Sequence, residues 1–343
     1  MNVYLRDILD QPGELKKVLR SLNEEYSGQV EQVAALLNIA NEIVLTSMGS
    51  AYYSLIPMYY ALARRGYAVS LIESSELLRN QEQLDSKKLY VFMSRSGESY
   101  EVALLSRLMK KKNITSVGIT MTPESTMAHY VTYVLHDCAS YDAMVCTKAY
   151  TSLALCGLKC VDAMEKKSND AKITTDLENV FEWLEQNKES IFEQISRLDV
   201  LKDAPDFCFL SRSYGMGVIK SGALWMEEVA RKCVSVSSLD TFYHGPIELS
   251  RTNIVPVFLG VEMDDRADMI FEKICSLTDK IICICPENVV IEKGNIIRYP
   301  EFDVEPEYQM LVLAFYFQFL SYCCALKNGI EPGQMETLSW VVK

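Results

Sequence analysis

Three hydroxyl side chains and a glycine follow a run of apolar residues in the stretch VFMSRSGESYEV at positions 91–102. Ser94, Ser96 and Ser99 supply hydroxyl donors, and Gly97 lets the backbone approach a ligand closely. If this loop opens a helix, free N–H groups and the positive end of the helix dipole lie beside the hydroxyls. Such a set of groups can hold a phosphate monoester without a metal ion.

A second loop of small side chains, MGSA at residues 48–51, also follows an apolar run. Its Gly49 and Ser50 would close over the same anion from the neighbouring strand. In the alternative interpretation, the serines and glycines only form turns and a helix N-cap, with Glu98 beginning the helix. Two such loops on successive strands of one domain favour the ligand-binding interpretation.

The order of the elements around these loops occurs twice in the chain. The first half has strand-like apolar runs within 42–54, 88–99, 114–121 and 129–137, followed by a long apolar helix at 146–165. The second half has matching runs within 206–230, 253–260, 280–286 and 295–302, followed by a long apolar helix at 306–329. The offset of about 165 residues indicates a duplicated domain rather than a solenoid.

Strands that alternate with helices and read as nearly continuous β-branched runs are typical of parallel strands buried on both faces. The sequence therefore predicts an α/β protein with two tandem doubly wound, flavodoxin-like parallel sheets and flanking helices. We expect an N-terminal helical arm at 1–35, a first domain with the phosphate-binding loop at 36–165, a helical connector at 166–203, and a second domain with a C-terminal tail at 204–343.

Charge limits the possible partners. The formal net charge of −12 disfavours nucleic acid and anionic membranes. An anionic substrate must therefore be held by local groups. In the second half, the stretch that matches SRSGES is FLGVEMDD, which is acidic and has no hydroxyls. We therefore expect one anion site, in the first domain.

Composition limits the compartment and the cofactors. The N-terminal sequence is charged and amphipathic, unlike a signal or transit peptide, and we expect no membrane-spanning segment. Eleven scattered cysteines and three histidines indicate neither a disulfide framework nor a metal-type cluster. We expect a cytoplasmic protein without a metal or another cofactor.

Several motifs resemble those of SIS (sugar isomerase) domains. SRSGES resembles their SxSGE[ST] loop, SMGSAYYS their first phosphate-side loop, and CTKAYT at 146–151 their STKAFT helix start. FLSRSYGMGVIKSGALWMEE, followed by YHGPIEL, is similar to the second domain of double-SIS enzymes such as the isomerase half of glucosamine-6-phosphate synthase. The resemblance covers about the whole chain, with the motifs in matching order.

The resemblance implies a six-carbon sugar 6-phosphate ligand and the residues that bind it. These implied ligand-binding residues are Gly49, Ser50, Ser94, Arg95, Ser96, Gly97, Ser99 and Cys146. The family's catalytic glutamate falls on Glu228, and its ring-opening histidine falls on His244, which in these enzymes reaches the site of a neighbouring subunit. The resemblance therefore also implies a homodimer or a larger oligomer with shared sites.

The residue types fit this chemistry independently, but simpler interpretations exist. Proton transfer between C1 and C2 of an open-chain sugar needs a carboxylate base, and ring opening needs a proton shuttle near neutral pH, which histidine suits. Glu228 could instead be a solvated helix carboxylate beside Glu227, and His244 a turn residue. Cys146 and Thr147 could belong to a helix N-cap and the core.

The sequence departs from the synthase at three places. We expect no glutaminase domain, because residue 2 is Asn and the chain starts directly before the first SIS unit. Trp225 replaces a helix lysine, and Trp340 in the tail LSWVVK replaces the lysine that helps to build the synthase's sugar site. Tryptophan cannot form an imine or carry a proton, although it can form the wall of a pocket.

These departures favour the stand-alone double-SIS enzymes, and HGPIEL resembles the HGPLE form found in fructosamine-6-phosphate deglycases. We therefore predict a deglycase that cleaves the C–N bond of an amino-linked hexose phosphate after proton transfer at C1. The alternatives are a glucosamine-6-phosphate deaminase, an aldose–ketose phosphosugar isomerase, and a non-catalytic sugar-phosphate binding module.

Overall fold

The computed structural model describes residues 1–166 and 171–337, and these residues fall into two compact units. The N-terminal unit contains Leu9–Glu185 together with the described residues 335–337, and the C-terminal unit contains Met1–Ile8 and Gln186–Gln334. Helices α1 (Val3–Asn23) and α9 (Ala171–Ser196) each contribute residues to both units.

The N-terminal unit is built on a parallel sheet. Within the described residues its strands are β1 (Ile43–Thr46), β2 (Val69–Leu71), β3 (Leu89–Ser94), β4 (Ser116–Thr120) and β5 (Tyr133–His136). They pair in the order β2-β1-β3-β4-β5, and every pairing is parallel. The central strands β1, β3 and β4 are buried at every residue, which explains why their sequences lack an exposed polar face.

Helices connect the strands of the N-terminal unit. They are α2 (Ser27–Ile39), α3 (Gly49–Ser54), α4 (Ile56–Arg64), α5 (Ser74–Arg79), α6 (Tyr100–Lys111), α7 (Thr126–Tyr130) and α8 (Lys148–Met164). The strand order reverses between β1 and β3, so the carboxyl ends of these two strands form the topological switch point of the sheet. The two small-residue loops predicted to bind an anion follow these two strands.

The C-terminal unit repeats this architecture. Its strands are β6 (Phe207–Ser211), β7 (Val234–Ser238), β8 (Val255–Leu259), β9 (Ile282–Pro286) and β10 (Asn295–Tyr299), and its helices include α10 (Gly215–Ala230), α11 (Leu239–Tyr243), α12 (Asp265–Cys275) and α13 (Pro306–Lys327). The strands pair in parallel in the order β7-β6-β8-β9-β10, which is the strand order of the first sheet. The predicted fold of two doubly wound parallel sheets is confirmed.

One strand of each sheet is not predicted by the sequence pattern. β2 and β7 lie at the equivalent edge of their sheets, and their side chains stay partly or fully exposed. β2 has only three residues, and β7 alternates valine with serine before it ends. Neither strand has the continuous apolar run that marks a central parallel strand.

Helix α13 lies in the core of the C-terminal unit. Gly222 of α10 faces Phe317 of α13, and Phe317 packs edge-on against Phe209 of β6 with ring centroids 5.1 Å apart. The sequence analysis expected no segment able to cross a membrane, but α13 is long and apolar enough to do so by composition. Because 89% of its apolar segment is buried inside the protein, α13 has the surroundings of a core helix.

The first residues of the chain complete the C-terminal unit. Asn2 Nδ2 donates a hydrogen bond to Glu331 Oε1 at 2.6 Å. Tyr4 is 2% exposed, and its hydroxyl lies 2.9 Å from Ser321 Oγ of α13. The segment 1–8 is therefore fixed by residues at least 317 positions later in the chain.

The contact between α10 and α13 leads to a stability prediction. A Cβ atom at position 222 would lie 2.5 Å from Phe317 Cδ1, inside the core. Gly222→Ala should therefore lower the free energy of unfolding by about 1–3 kcal/mol, because a filled core resists added volume. Gly13→Ala in α1 is the control, since a Cβ there meets nothing within 4 Å, and it should stabilise by about 0.5–1 kcal/mol. Equal thermal unfolding midpoints for the two variants would contradict this packing.

Candidate functional site

The SRSGES loop forms a tight turn between β3 and α6 at the switch point of the N-terminal sheet. Ser94 Oγ accepts a hydrogen bond from Gly97 N at 2.9 Å, and Ser96 Oγ accepts one from Glu98 N at 3.2 Å. A hydroxyl that accepts a hydrogen bond still has its own proton to donate. The turn-forming role of these serines is therefore compatible with a role in binding an anion.

Position 97 requires glycine for two reasons. Gly97 has a φ of +63°, which side chains with a Cβ rarely adopt, and an added Cβ would lie 2.0 Å from Ser125 Oγ. Its carbonyl also accepts a hydrogen bond from Met127 N at 3.0 Å. The turn thus packs directly against the start of α7.

The carboxylate of Glu98 ties the loop to α7. Glu98 Oε1 accepts a hydrogen bond from Thr126 N at 2.7 Å, and Oε2 accepts one from Thr126 Oγ1 at 2.8 Å. The sequence analysis considered Glu98 only as the start of a helix and missed this contact, whose partner lies 28 residues later. The available signal was the pair Ser125–Thr126, which is typical of a helix N-terminus.

Two hydroxyls beside this turn, those of Ser50 and Ser99, have hydrogen-bonding capacity that the described part of the chain leaves open. Ser99 is the N-cap of α6, yet its side chain makes no capping hydrogen bond. Ser50 Oγ, next to Gly49 at the start of α3, is buried and has no hydrogen-bond partner among the described residues. A buried hydroxyl without a partner is costly, and a bound oxyanion would supply one.

Arg95 connects the SRSGES loop to the start of α8. Its Nη1 donates a hydrogen bond to Met144 O at 3.0 Å and lies 4.0 Å from Asp142 Oδ2. Asp142 is buried, and it accepts a hydrogen bond from Thr147 Oγ1 at 2.7 Å and two more from backbone N–H groups of α8. Cys146 is half-buried just before this helix. The geometry gives Arg95 a structural role, while its contact with a phosphate stays a prediction.

A second buried carboxylate, Asp137, follows β5 and so lies on the side of the sheet where the carboxyl ends of the parallel strands meet. Asp137 Oδ2 accepts a hydrogen bond from Ser152 Oγ at 2.5 Å, and Oδ1 accepts one from Ala139 N at 2.9 Å. Burial raises the pKa of Asp137 to about 6, because the ionised form loses its hydration, and the nearby Asp142 carboxylate acts in the same direction.

The C-terminal unit fills the equivalent position with its own charges. Its loop after β6 contains Arg212, and its loop after β8 contains Asp264, the N-cap of α12. Asp264 Oδ1 accepts a hydrogen bond from Ala267 N at 2.7 Å and another from Arg212 Nη1 at 2.7 Å. The carboxylate of Asp264 thus caps the start of α12. The corresponding helix of the N-terminal unit is α6, and its N-cap side chain makes no such bond.

Glu228 lies in the last turn of α10. It is partly buried, whereas the adjoining Glu227 is exposed, so the two carboxylates have different surroundings. Trp225, one turn earlier on the same helix, is 0% exposed. The predicted role of Trp225 as a pocket wall stays a prediction.

His244 lies on the surface of the C-terminal unit. It is the C-cap of α11, its backbone N–H bonds to Thr241 O at 3.1 Å, and the residue is exposed. Gly245 follows with a φ of +150° and open space around it, and Pro246 then begins a short 3-10 helix. This turn presents the imidazole outward from the unit.

The predicted site residues divide between the two units. The predicted ligand-binding residues follow β1 and β3 or precede α8 in the N-terminal unit. Glu228 and His244 lie on different helices of the C-terminal unit, and Trp340 lies outside the described residues. Within the described ranges, no group of His, Cys, Asp and Glu side chains is arranged to hold a metal ion.

Comparison with known proteins identifies the class of the fold. Residues 36–157 match the family described as SIS domain. The isomerizing glutamine–fructose-6-phosphate aminotransferase of Shouchella clausii is 28% identical over 348 residues, which cover 98% of this chain and 57% of the relative. The chain therefore spans less than three fifths of that protein.

Two solved structures have the same fold along almost the whole chain. The C-terminal domain of glucosamine-fructose-6-phosphate aminotransferase from Francisella tularensis gives a TM-score of 0.81 at 19% identity and covers 96% of both chains. Glucosamine-6-phosphate deaminase from Thermotoga maritima gives 0.80 at 23% identity and covers 99% of both chains.

The strand order, the switch-point loops and the family match define an α/β protein that contains a SIS domain at residues 36–157. The SIS domain predicted from SRSGES is confirmed for this part of the chain.

The geometry at position 97 gives a testable difference between two glycines. Gly97→Ala combines left-handed backbone strain with a clash against Ser125, whereas Gly49→Ala at φ +55° has nothing within 4 Å and brings strain alone. Since that strain costs about 1–2 kcal/mol, Gly97→Ala should be destabilised by clearly more than Gly49→Ala. Thermal unfolding of both variants measures this. Equal midpoints would show that the loop does not pack on α7 as described.

The raised pKa of Asp137 predicts a pH-dependent loss of stability. The carboxyl of Asp137 ionises near its ordinary pKa of 3.8 in the unfolded chain and near 6 in the folded protein, so the stability that Asp137 contributes falls as pH rises through that window. The total effect is about 3 kcal/mol, since one pKa unit corresponds to about 1.4 kcal/mol. Asp137→Asn should therefore match the wild type near pH 4 and be more stable at pH 7. A difference in unfolding midpoint that is constant with pH would contradict the assignment.

Proposed function

We propose that the protein binds a hexose 6-phosphate at the SRSGES loop and acts on an amino-linked sugar as a metal-free fructosamine-6-phosphate deglycase. One observation carries the proposal. Three hydroxyls, the backbone at Gly97 and the start of α6, which no side chain caps, meet in one turn at the switch point. In a chain of net charge −12, these neutral donors are the means of holding a phosphate dianion.

In the proposed reaction Glu228 is the base. It removes a proton from C1 of the open-chain ketose, and the C2 carbonyl becomes an enol, which gives an enaminol. Return of a proton to C2 converts the enaminol into an imine between C1 and nitrogen. Water adds to C1 and the C–N bond breaks, so an amine and an aldose 6-phosphate leave. The partial burial of Glu228 supports this role, because a base must be held in a fixed position near its substrate.

His244 is the proposed proton shuttle for ring opening. Its exposure on the C-terminal unit fits a residue that reaches a substrate held elsewhere, and we propose that it serves the site of a second copy in a homodimer or larger oligomer. None of the eleven cysteines, all of which lie in the described ranges, forms a disulfide. Free thiols support a cytoplasmic location.

The released amine separates the deglycase from its alternatives. The protein is incubated with fructoselysine 6-phosphate and, separately, with glucosamine 6-phosphate, and the products are identified by mass spectrometry. Free lysine with glucose 6-phosphate supports the deglycase. Ammonia with fructose 6-phosphate would instead show a deaminase. Thermal protection by both sugars without turnover would indicate a binding module.

The role of Glu228 predicts a separation of binding from turnover. Glu228→Gln keeps the size of the side chain and removes the base, so kcat should fall at least about 100-fold while sugar-phosphate affinity, measured by calorimetry, stays within a few-fold. Glu227→Gln is the matched control on the adjacent, exposed position and should keep full activity. If Glu228→Gln turns over normally, the assignment of the base is wrong.

A further inference from the structure

A cluster of charges surrounds the short helix that precedes His244. Arg212 Nη2 donates a hydrogen bond to Asp240 Oδ1 at 3.0 Å, and Arg212 Nε lies 2.9 Å from Asp240 Oδ2. Arg212 Nη1 bonds to Asp264 Oδ1 at 2.7 Å. Arg266 Nε bonds to Asp240 Oδ1 at 3.0 Å. Asp240 lies on α11, one helical turn before His244.

The Asp240 side chain is 43% exposed, so a single ion pair there would contribute little. Here one carboxylate is held by two arginines, and the side chain of Arg212 is only 13% exposed, which makes its position well defined. The guanidinium of Arg266 also lies 5.8 Å from the ring centroid of Tyr243, the last residue of α11. Charge contacts therefore fix the polar face of α11.

The other contacts of α11 fix its start and its apolar face. Ser238 Oγ accepts a hydrogen bond from Thr241 N at 3.2 Å, which caps the helix. Leu239 and Phe242 are fully buried in the core of the C-terminal unit. A helix of five residues has little stability of its own, so these contacts decide where its last residue and the following His244 lie.

We propose that Arg212 is a positioning residue that holds α11, and with it His244, in the orientation needed for proton transfer. The inference rests on the proposed function only for the chemistry of His244. In the N-terminal unit the loop after the first central strand borders the proposed anion site. In the C-terminal unit the equivalent loop, which follows β6, places Arg212 between Asp264 and Asp240. Arg212 thereby links α12 to α11.

The first test observes His244 directly and needs no substrate. The chain has three histidines, so NMR signals of their ring C–H groups can be assigned with His244→Ala. Arg212→Gln should shift and broaden the His244 signal and leave those of His129 and His136 unchanged. An unchanged His244 signal would overturn the inference even if the protein proves to be an active deglycase.

The second test is a double-mutant cycle on kcat/KM with fructoselysine 6-phosphate. Arg212→Gln should lower kcat about 10-fold with little change in KM, and Arg212→Lys should restore part of the loss. If Arg212 acts through His244, the double variant with His244→Ala should be no slower than His244→Ala alone. If the fold-losses in kcat/KM of the two single variants multiply in the double variant, Arg212 acts independently of His244 and the inference is overturned.

A matched control separates a local effect from a general loss of charge. Arg251 lies seven residues after His244 in an exposed pair with Glu248, so Arg251→Gln removes the same charge without touching α11. It should leave both the His244 signal and kcat unchanged. If His244→Ala retains full activity, the proposed role of His244 in proton transfer is wrong. The NMR comparison does not depend on activity, so it still shows whether Arg212 holds His244 in place.

Discussion

The start of a helix at the switch point of a parallel sheet presents backbone N–H groups that have no partner within the helix and favour a negative group. The arrangement of the loops in both units of this protein depends on which group takes that place. In α12 the partner is a carboxylate of the chain, Asp264, which caps the helix. In α6 the N-cap is the neutral Ser99, whose side chain makes no capping bond. The two helix starts therefore differ at the N-cap although both units share one strand order, and the start of α6 is the one that we propose binds a ligand.

An open helix start binds well only if its loop is already ordered before the ligand arrives, since ordering costs affinity. The SRSGES loop is held by contacts on each side. Its own serines close the turn, Glu98 bonds to Thr126, and Arg95 reaches Met144 beside the start of α8. In the C-terminal unit, Arg212 of the equivalent region bonds to α11 and to the start of α12 instead. The two units thus share one architecture, with the proposed binding loop in the first and charge contacts between helices in the second.

The central strands and the SRSGES turn between β3 and α6 could be predicted from sequence because each is a local pattern, a continuous apolar run or a set of hydroxyls with a glycine. The edge strands β2 and β7 could not, since partial exposure removes that run. The contacts of Glu98 and Arg212 were also missed, because their partners lie 28 or more residues away and only the fold brings them together. The full burial of Trp225 was not predicted either, because side-chain type alone does not fix how much of a tryptophan is exposed.

The participation of residues 1–8 in the C-terminal unit has a consequence for biosynthesis. Tyr4 leaves the ribosome 317 residues ahead of its partner Ser321. At ordinary elongation rates this delay is roughly 15–60 s. During that time Leu9–Glu185 is made and can form its own core. The apolar surface of Tyr4 stays unpaired with α13 until α13 has been synthesised. The contact between segment 1–8 and α13 thus forms last, and a large domain fused directly before residue 1 would compete with the step that completes the C-terminal core.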